Sequence, residues 1–137
     1  MPSWTRWVLA VYVLGFLEGS IAHLLDLVRG GIHGYASFAP VPLQVFFVCL
    51  VVLDPLVVVL VALVRPWGVR LACAVMALDV TANWITNWAE LQDDPTRLLR
   101  PYGLLPITLF GVFVLGSAVP VLRALRSSRR LGIAAHG

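Results

Sequence analysis

Residues 43–64 read LQVFFVCLVVLDPLVVVLVALV, twenty-two residues with one charge, Asp54, near the middle beside Pro55. A helix needs about 20 mostly apolar residues to cross the hydrocarbon core of a bilayer. A barrel strand would alternate apolar and polar positions over about 10 residues, and this stretch does not. It therefore reads as a transmembrane helix, whose backbone donors and acceptors are satisfied internally. Three further stretches have the same character, near residues 4–28, 69–90 and 102–125. The expected architecture is all-α: a polytopic membrane protein, a single four-helix transmembrane bundle over residues 1–137 with an internal polar pocket.

Composition agrees. The 137 residues are 60% hydrophobic and 12% charged, more apolar surface than a soluble domain of this size can hide. Arg65-Pro66-Trp67-Gly68 is expected to be a tight turn between the second and third helices. Asp94-Pro95 and Arg100-Pro101 punctuate the link between the third and fourth. The longest connection, Arg29–Pro42, is rich in Gly, Pro and aromatics. It reads either as an irregular connector or as a lid over a pocket mouth. Cys49 and Cys73 are expected at different depths, too far apart for a disulfide, and read as small apolar core residues.

All ten cations are arginine, and their placement is uneven. Four crossings put both termini on one side, with Arg6, Arg65, Arg70, Arg123, Arg126, Arg129 and Arg130. Arg29, Arg97 and Arg100 lie opposite. The positive-inside rule then expects cytoplasmic termini. The first helix is longer than a secretory h-region and carries Glu18, so it is not expected to be a signal peptide. The cluster from Arg123 to Arg130 reads as an anchor for anionic lipid rather than a nucleic-acid site. An oligomer is compatible with the sequence.

Glu18, Asp54 and Asp79 are expected near the middle of the first, second and third helices. An acid at a helix centre costs roughly 2.5–3.5 kcal/mol on insertion scales. All three are therefore expected to face inward. Like charges in a low dielectric repel, so at least one is expected to hold a proton at neutral pH. On the third helix, Asp79, Asn83, Thr86, Asn87 and Glu90 fall at i, i+4, i+7, i+8 and i+11, on one face. Such a stripe can glue helices together; five polar residues exceed that need and read better as a cavity wall. On the first helix, Gly15, Glu18, Gly19, Ala22, His23 and Asp26 share a face, and His23 can bond to Asp26 at i+3. Asp54 is open to either a structural or a functional role, because Pro55 removes a backbone donor beside it. Trp84 and Trp88 point away from the stripe. Zinc-type ligand spacing, a Gly-rich phosphate loop and a nucleophile elbow are all missing, so no metal or cofactor is expected.

These features resemble the EXPERA family of four-helix membrane proteins, the sterol Δ8–Δ7 isomerases and sigma-2 receptor-like proteins. The resemblance spans nearly the whole chain. It rests on Glu18-Gly19 with Asp26 eight residues on, on Leu25-Asp26-Leu27, on Asp79, Asn83 and Glu90, and on the region of Pro120. It implies a polar pocket that opens toward lipid, and an aspartate, Asp26, that meets ligand amines. Leu14 stands where the isomerases carry His, and Phe113 and Gly116 where they carry Asn and Trp. No residue clearly matches their second-helix Glu. The resemblance thus supports the pocket more than sterol isomerisation.

The leading expectation is an enzyme acting on a sterol-like or isoprenoid lipid by acid-initiated carbocation chemistry, either double-bond isomerisation or terpene cyclisation. Such chemistry needs a proton donor, a base, and a dry anionic cavity that favours the cation. Glu18 is the expected acid and Asp79 the base or cation stabiliser. His23, Asp26, Asp54, Asn83, Thr86, Asn87 and Glu90 are the expected lining. No cofactor is needed, because moving protons is redox-neutral. The alternatives are a non-catalytic sterol- or amine-binding protein, for which cationic amphiphilic amines are expected ligands, and a proton or ion relay.

Overall fold

The computed structural model describes residues 1–101 and 103–134, without the side chains of His33 and residues 129–134. Tyr102, the expected start of the fourth helix, lies outside the described residues, as do the side chains of Arg129 and Arg130. Four long helices make up the chain: α1 (Ser3–Gly34), α2 (Val41–Ala62), α3 (Pro66–Asp93) and α4 (Leu104–Ala134). A short 3-10 turn, Pro95–Leu99, joins α3 to α4. All four helices are long and apolar enough to cross a membrane, and the chain is an integral, multi-pass membrane protein. Their outer surfaces bear this out. Leu14, Val52 and Val112 are 66%, 68% and 64% exposed, a surface suited to lipid tails and not to water.

Two expected boundaries are corrected. Arg29 does not begin the connector, because α1 continues to Gly34 across a break at Gly31. Gly31 has φ 66° and ψ 172°, a backbone state open in practice to glycine alone. Arg65–Gly68 is not the turn. Pro66, Trp67 and Gly68 form the first turn of α3, where the missing N–H of Pro66 costs nothing. The chain reverses at Leu63–Arg65 instead, with Val64 at φ 54°. This hairpin is tight. A Cβ on Gly68 would lie 2.7 Å from the backbone of Leu60 and Val61.

The helices pack in ring order, α1 on α2, α2 on α3, α3 on α4. The core between them includes Tyr12, Phe16, Leu50, Val57, Val69, Met76, Val114 and Val121. α1 meets α4 over a shorter stretch. There the Tyr12 hydroxyl donates to the carbonyl of Val114 at 2.6 Å and lies 2.9 Å from Ser117 Oγ. One turn on, Phe16 and Phe110 meet edge to face at 5.6 Å. On the side of Phe110 away from the termini, residues of both helices line a cavity. Cys49 and Cys73 are both free, but Cys49 is exposed on the outer face of α2 and is not the core residue expected, while Cys73 is half-buried.

The connector between α1 and α2 folds back onto the bundle. Tyr35, Ala36 and Ala39 are buried, and Gln44 Nε2 donates to the carbonyl of Ala39 at 2.6 Å. Phe38 stays exposed, with its ring 6.3 Å from that of Phe47.

Candidate functional site

A cavity of about 450 Å³ occupies the half of the bundle away from the termini. Each helix contributes for a local reason. α1 brings Glu18, His23 and Asp26 on one face, with Gly15, Gly19 and Ala22 between them. The small residues leave the room. Asp54 enters from α2 through the gap at Gly19, where a Cβ would come within 2.8 Å of its Oδ2. α3 supplies Met76, Asp79 and Asn83, and the start of α4 supplies Pro106, Ile107 and Phe110. Phe110 lies against Gly15 and closes the end nearest the termini. Glu18, Ala22 and Asp26 on α1, and Pro101, Gly103 and Pro106 opposite, are exposed, so the cavity opens between α1 and α4.

The acids are not equivalent. Asp54 and Asp79 are 4% and 6% exposed, whereas Glu18 and Asp26 are exposed at the rim. Asp79 Oδ1 accepts a hydrogen bond from Asn83 Nδ2 at 2.9 Å, one turn along α3. Asp54 has a different neighbour, with Nε2 of His23 3.8 Å from its Oδ2. His23 does not turn to Asp26. Its Nδ1 lies 2.5 Å from the hydroxyl of Tyr35. Four carboxylates thus line the cavity, and no arginine does among the described residues. Among those residues no group of three or more His, Cys, Asp or Glu suits a metal ion.

The expected polar stripe of α3 divides. Asp79 and Asn83 line the cavity; Thr86, Asn87 and Glu90 do not. Thr86 Oγ1 donates to the carbonyl of Ala82 at 2.9 Å, and Asn87 Nδ2 donates to that of Asn83, also at 2.9 Å. Both side chains donate within their own helix. Glu90 pairs with Arg97 of the 3-10 turn. Asn87, Glu90, Arg97 and Arg100 surround a separate space of about 140 Å³, which touches the main cavity at Gly103. Trp84 faces α4, its Nε1 donating to Thr108 Oγ1 at 2.9 Å, and Trp88 is exposed beside it.

Tyr35 was beyond reach of periodicity, because only the break at Gly31 carries the connector back onto α1. The apolar lining, Phe16, Met76, Ile107 and Phe110, had no distinguishing signal among so many apolar residues. No protein-family model, curated protein or solved structure matches this chain.

Proposed function

We propose that this protein is a membrane enzyme that acts on a sterol-like or isoprenoid lipid by acid-initiated carbocation chemistry. One observation carries the reading: two buried carboxyl groups, Asp54 and Asp79, share a lipid-sized, mostly apolar cavity with no arginine in its described lining. Such a cavity admits an apolar body from the bilayer through the opening between α1 and α4. Its fixed negative charge favours a cation inside, where low dielectric strengthens the effect. A protonated carboxyl adds its proton to an alkene, and a carboxylate removes a different proton. Asp54 and Asp79 are better buried for these roles than Glu18, which at the rim meets the substrate as it enters. Isomerisation and cyclisation both follow this scheme, and no cofactor enters it.

The test is incubation of purified protein with sterol and isoprenoid alkenes in D2O, followed by mass spectrometry. The expected product has a shifted double bond or a new ring and one solvent deuterium. Products without deuterium, or none in a panel that binds, would overturn the reading. In the second case the same anionic lining supports the other reading, a lipid- or amine-binding protein without catalysis. We infer further that both termini are cytoplasmic, from the seven arginines on that side against three opposite. A proton or ion relay finds little support, since Phe110 packed on Gly15 closes the cavity toward the termini.

A further inference from the structure

Tyr35 and His23 meet although the break at Gly31 lies between them. The phenol oxygen is 2.5 Å from Nδ1, and on the other side of the ring Nε2 is 3.8 Å from Asp54 Oδ2. The imidazole therefore stands between a phenol and a buried carboxyl. Tyr35 lies beyond the first spanning segment. Burial, and then the carboxyls of Asp26, Asp79 and Asp54, push its phenol above the ordinary value, so it keeps its proton at neutral pH. That proton has one acceptor in range among the described residues, Nδ1 of His23. The reverse arrangement, Nδ1–H donating to the phenol oxygen, would leave the part-buried O–H without an acceptor among the described residues. A neutral imidazole that accepts at Nδ1 carries its hydrogen on Nε2.

We propose that Tyr35 is a positioning residue that holds His23 in the Nε2–H tautomer, and that His23 thereby aims a donor at Asp54 and marks it as the carboxyl that alternates between acid and carboxylate. The inference rests on the chemistry proposed above. In that step the Asp54 O–H proton goes to an alkene carbon. The π pair becomes the new C–H bond, and the O–H pair stays on the carboxylate. Nε2–H then has an anion to close upon across the 3.8 Å gap. The proton lost from the neighbouring carbon returns to a carboxylate of the cavity, so the imidazole neither gains nor loses one. Asp79 has its own donor, Asn83, and needs no part of this arrangement.

The test uses ligand-free full-length protein at neutral pH, labelled with 15N-histidine and assigned by comparison with His23→Gln. The expected spectrum shows Nδ1 unprotonated and hydrogen-bonded, with the proton on Nε2. In Tyr35→Phe the hydrogen-bond shift of Nδ1 is lost. Infrared difference spectra, with the Asp54 and Asp79 bands identified from Asp54→Asn and Asp79→Asn, give the second readout. The Asp54 band should move in both Tyr35→Phe and His23→Gln while the Asp79 band stays. A wild-type His23 protonated on Nδ1 would overturn the proposal, even if Tyr35→Phe failed to fold. So would an Asp54 band indifferent to both substitutions. Because no lipid is present, these outcomes are separate from product formation, which judges the carbocation reading.

Discussion

The carboxyl of Asp54 fills the space that a side chain at residue 19 would need: a Cβ added to Gly19 of α1 would stand 2.8 Å from Oδ2. The obstructing atom is the end of a side chain, not backbone, so it can rotate away. Gly19→Ala is therefore expected to fold with little net change in stability, because a cost of about 0.5–1.5 kcal/mol for the displaced rotamer is offset by the roughly 1 kcal/mol that alanine gains over glycine inside a helix. The moved carboxyl should weaken binding of a hydrophobic amine in the same variant. Thermal melting and amine titration in detergent measure the two effects. Unchanged amine affinity would show that the Asp54 carboxyl is not part of the ligand site.

Gly68 presents the opposite case. A Cβ there meets the backbone of Leu60 and Val61 at 2.7 Å, and backbone cannot rotate aside. Gly68→Ala must open the α2–α3 hairpin, with an expected loss of about 1–3 kcal/mol, as for overpacked cores. Gly116, in the middle of α4, has nothing within 4 Å of its Cβ position. Gly116→Ala should raise the melting temperature, since alanine gains roughly 1 kcal/mol over glycine inside a helix. Equal effects of the two substitutions in a melting series would contradict this packing.

The four spans were legible in the sequence because length and apolarity alone decide them. The mid-helix placement of Asp54 and Asp79 was legible for the same reason. What was not legible depended on single backbone angles. The break at Gly31 interrupts α1 and returns Tyr35 to His23, and nothing in a helical period announces it. The division of the α3 stripe was also hidden. Asp79 and Glu90 share a face by count, but Arg97 of the 3-10 turn draws Glu90 into a separate group. Glu18 and Asp54 could not be ranked by sequence, since both are acids near mid-helix. Only the packed bundle ranks them, leaving Glu18 exposed at the cavity opening and Asp54 buried inside.

The arginine asymmetry yields an expected topology. With Cys49 and Cys73 replaced by alanine and one cysteine placed after Arg126, an impermeant maleimide should label lysed cells and leave intact cells unlabelled. Labelling of intact cells would reverse the orientation. The packing would be unaffected, because it depends on which faces are apolar and not on which side of the membrane they end.

Hydrophobic amines should bind in the cavity, with Asp54 and Asp79 governing the affinity. A protonated amine resembles a carbocation in charge and shape, so a cavity that favours the cation should accept the amine. Inside low dielectric the attraction between ammonium and carboxylate is large, and desolvation offsets much of it. Removing one partner of a buried pair costs roughly 3–5 kcal/mol, which sets the upper range. Asp54→Asn and Asp79→Asn are each expected to weaken binding tenfold or more, at about 1.4 kcal/mol per decade. Glu18→Gln should have a smaller effect, because exposed charges at a rim are screened. A neutral isostere of the same amine should bind the wild type poorly and lose little in any variant. Calorimetry with both ligands across the four proteins supplies the comparison. Equal affinity of the wild type for amine and isostere would reject an anionic site, because shape alone would then account for binding. A loss confined to Glu18→Gln would move the charge recognition from the buried pair to the cavity mouth.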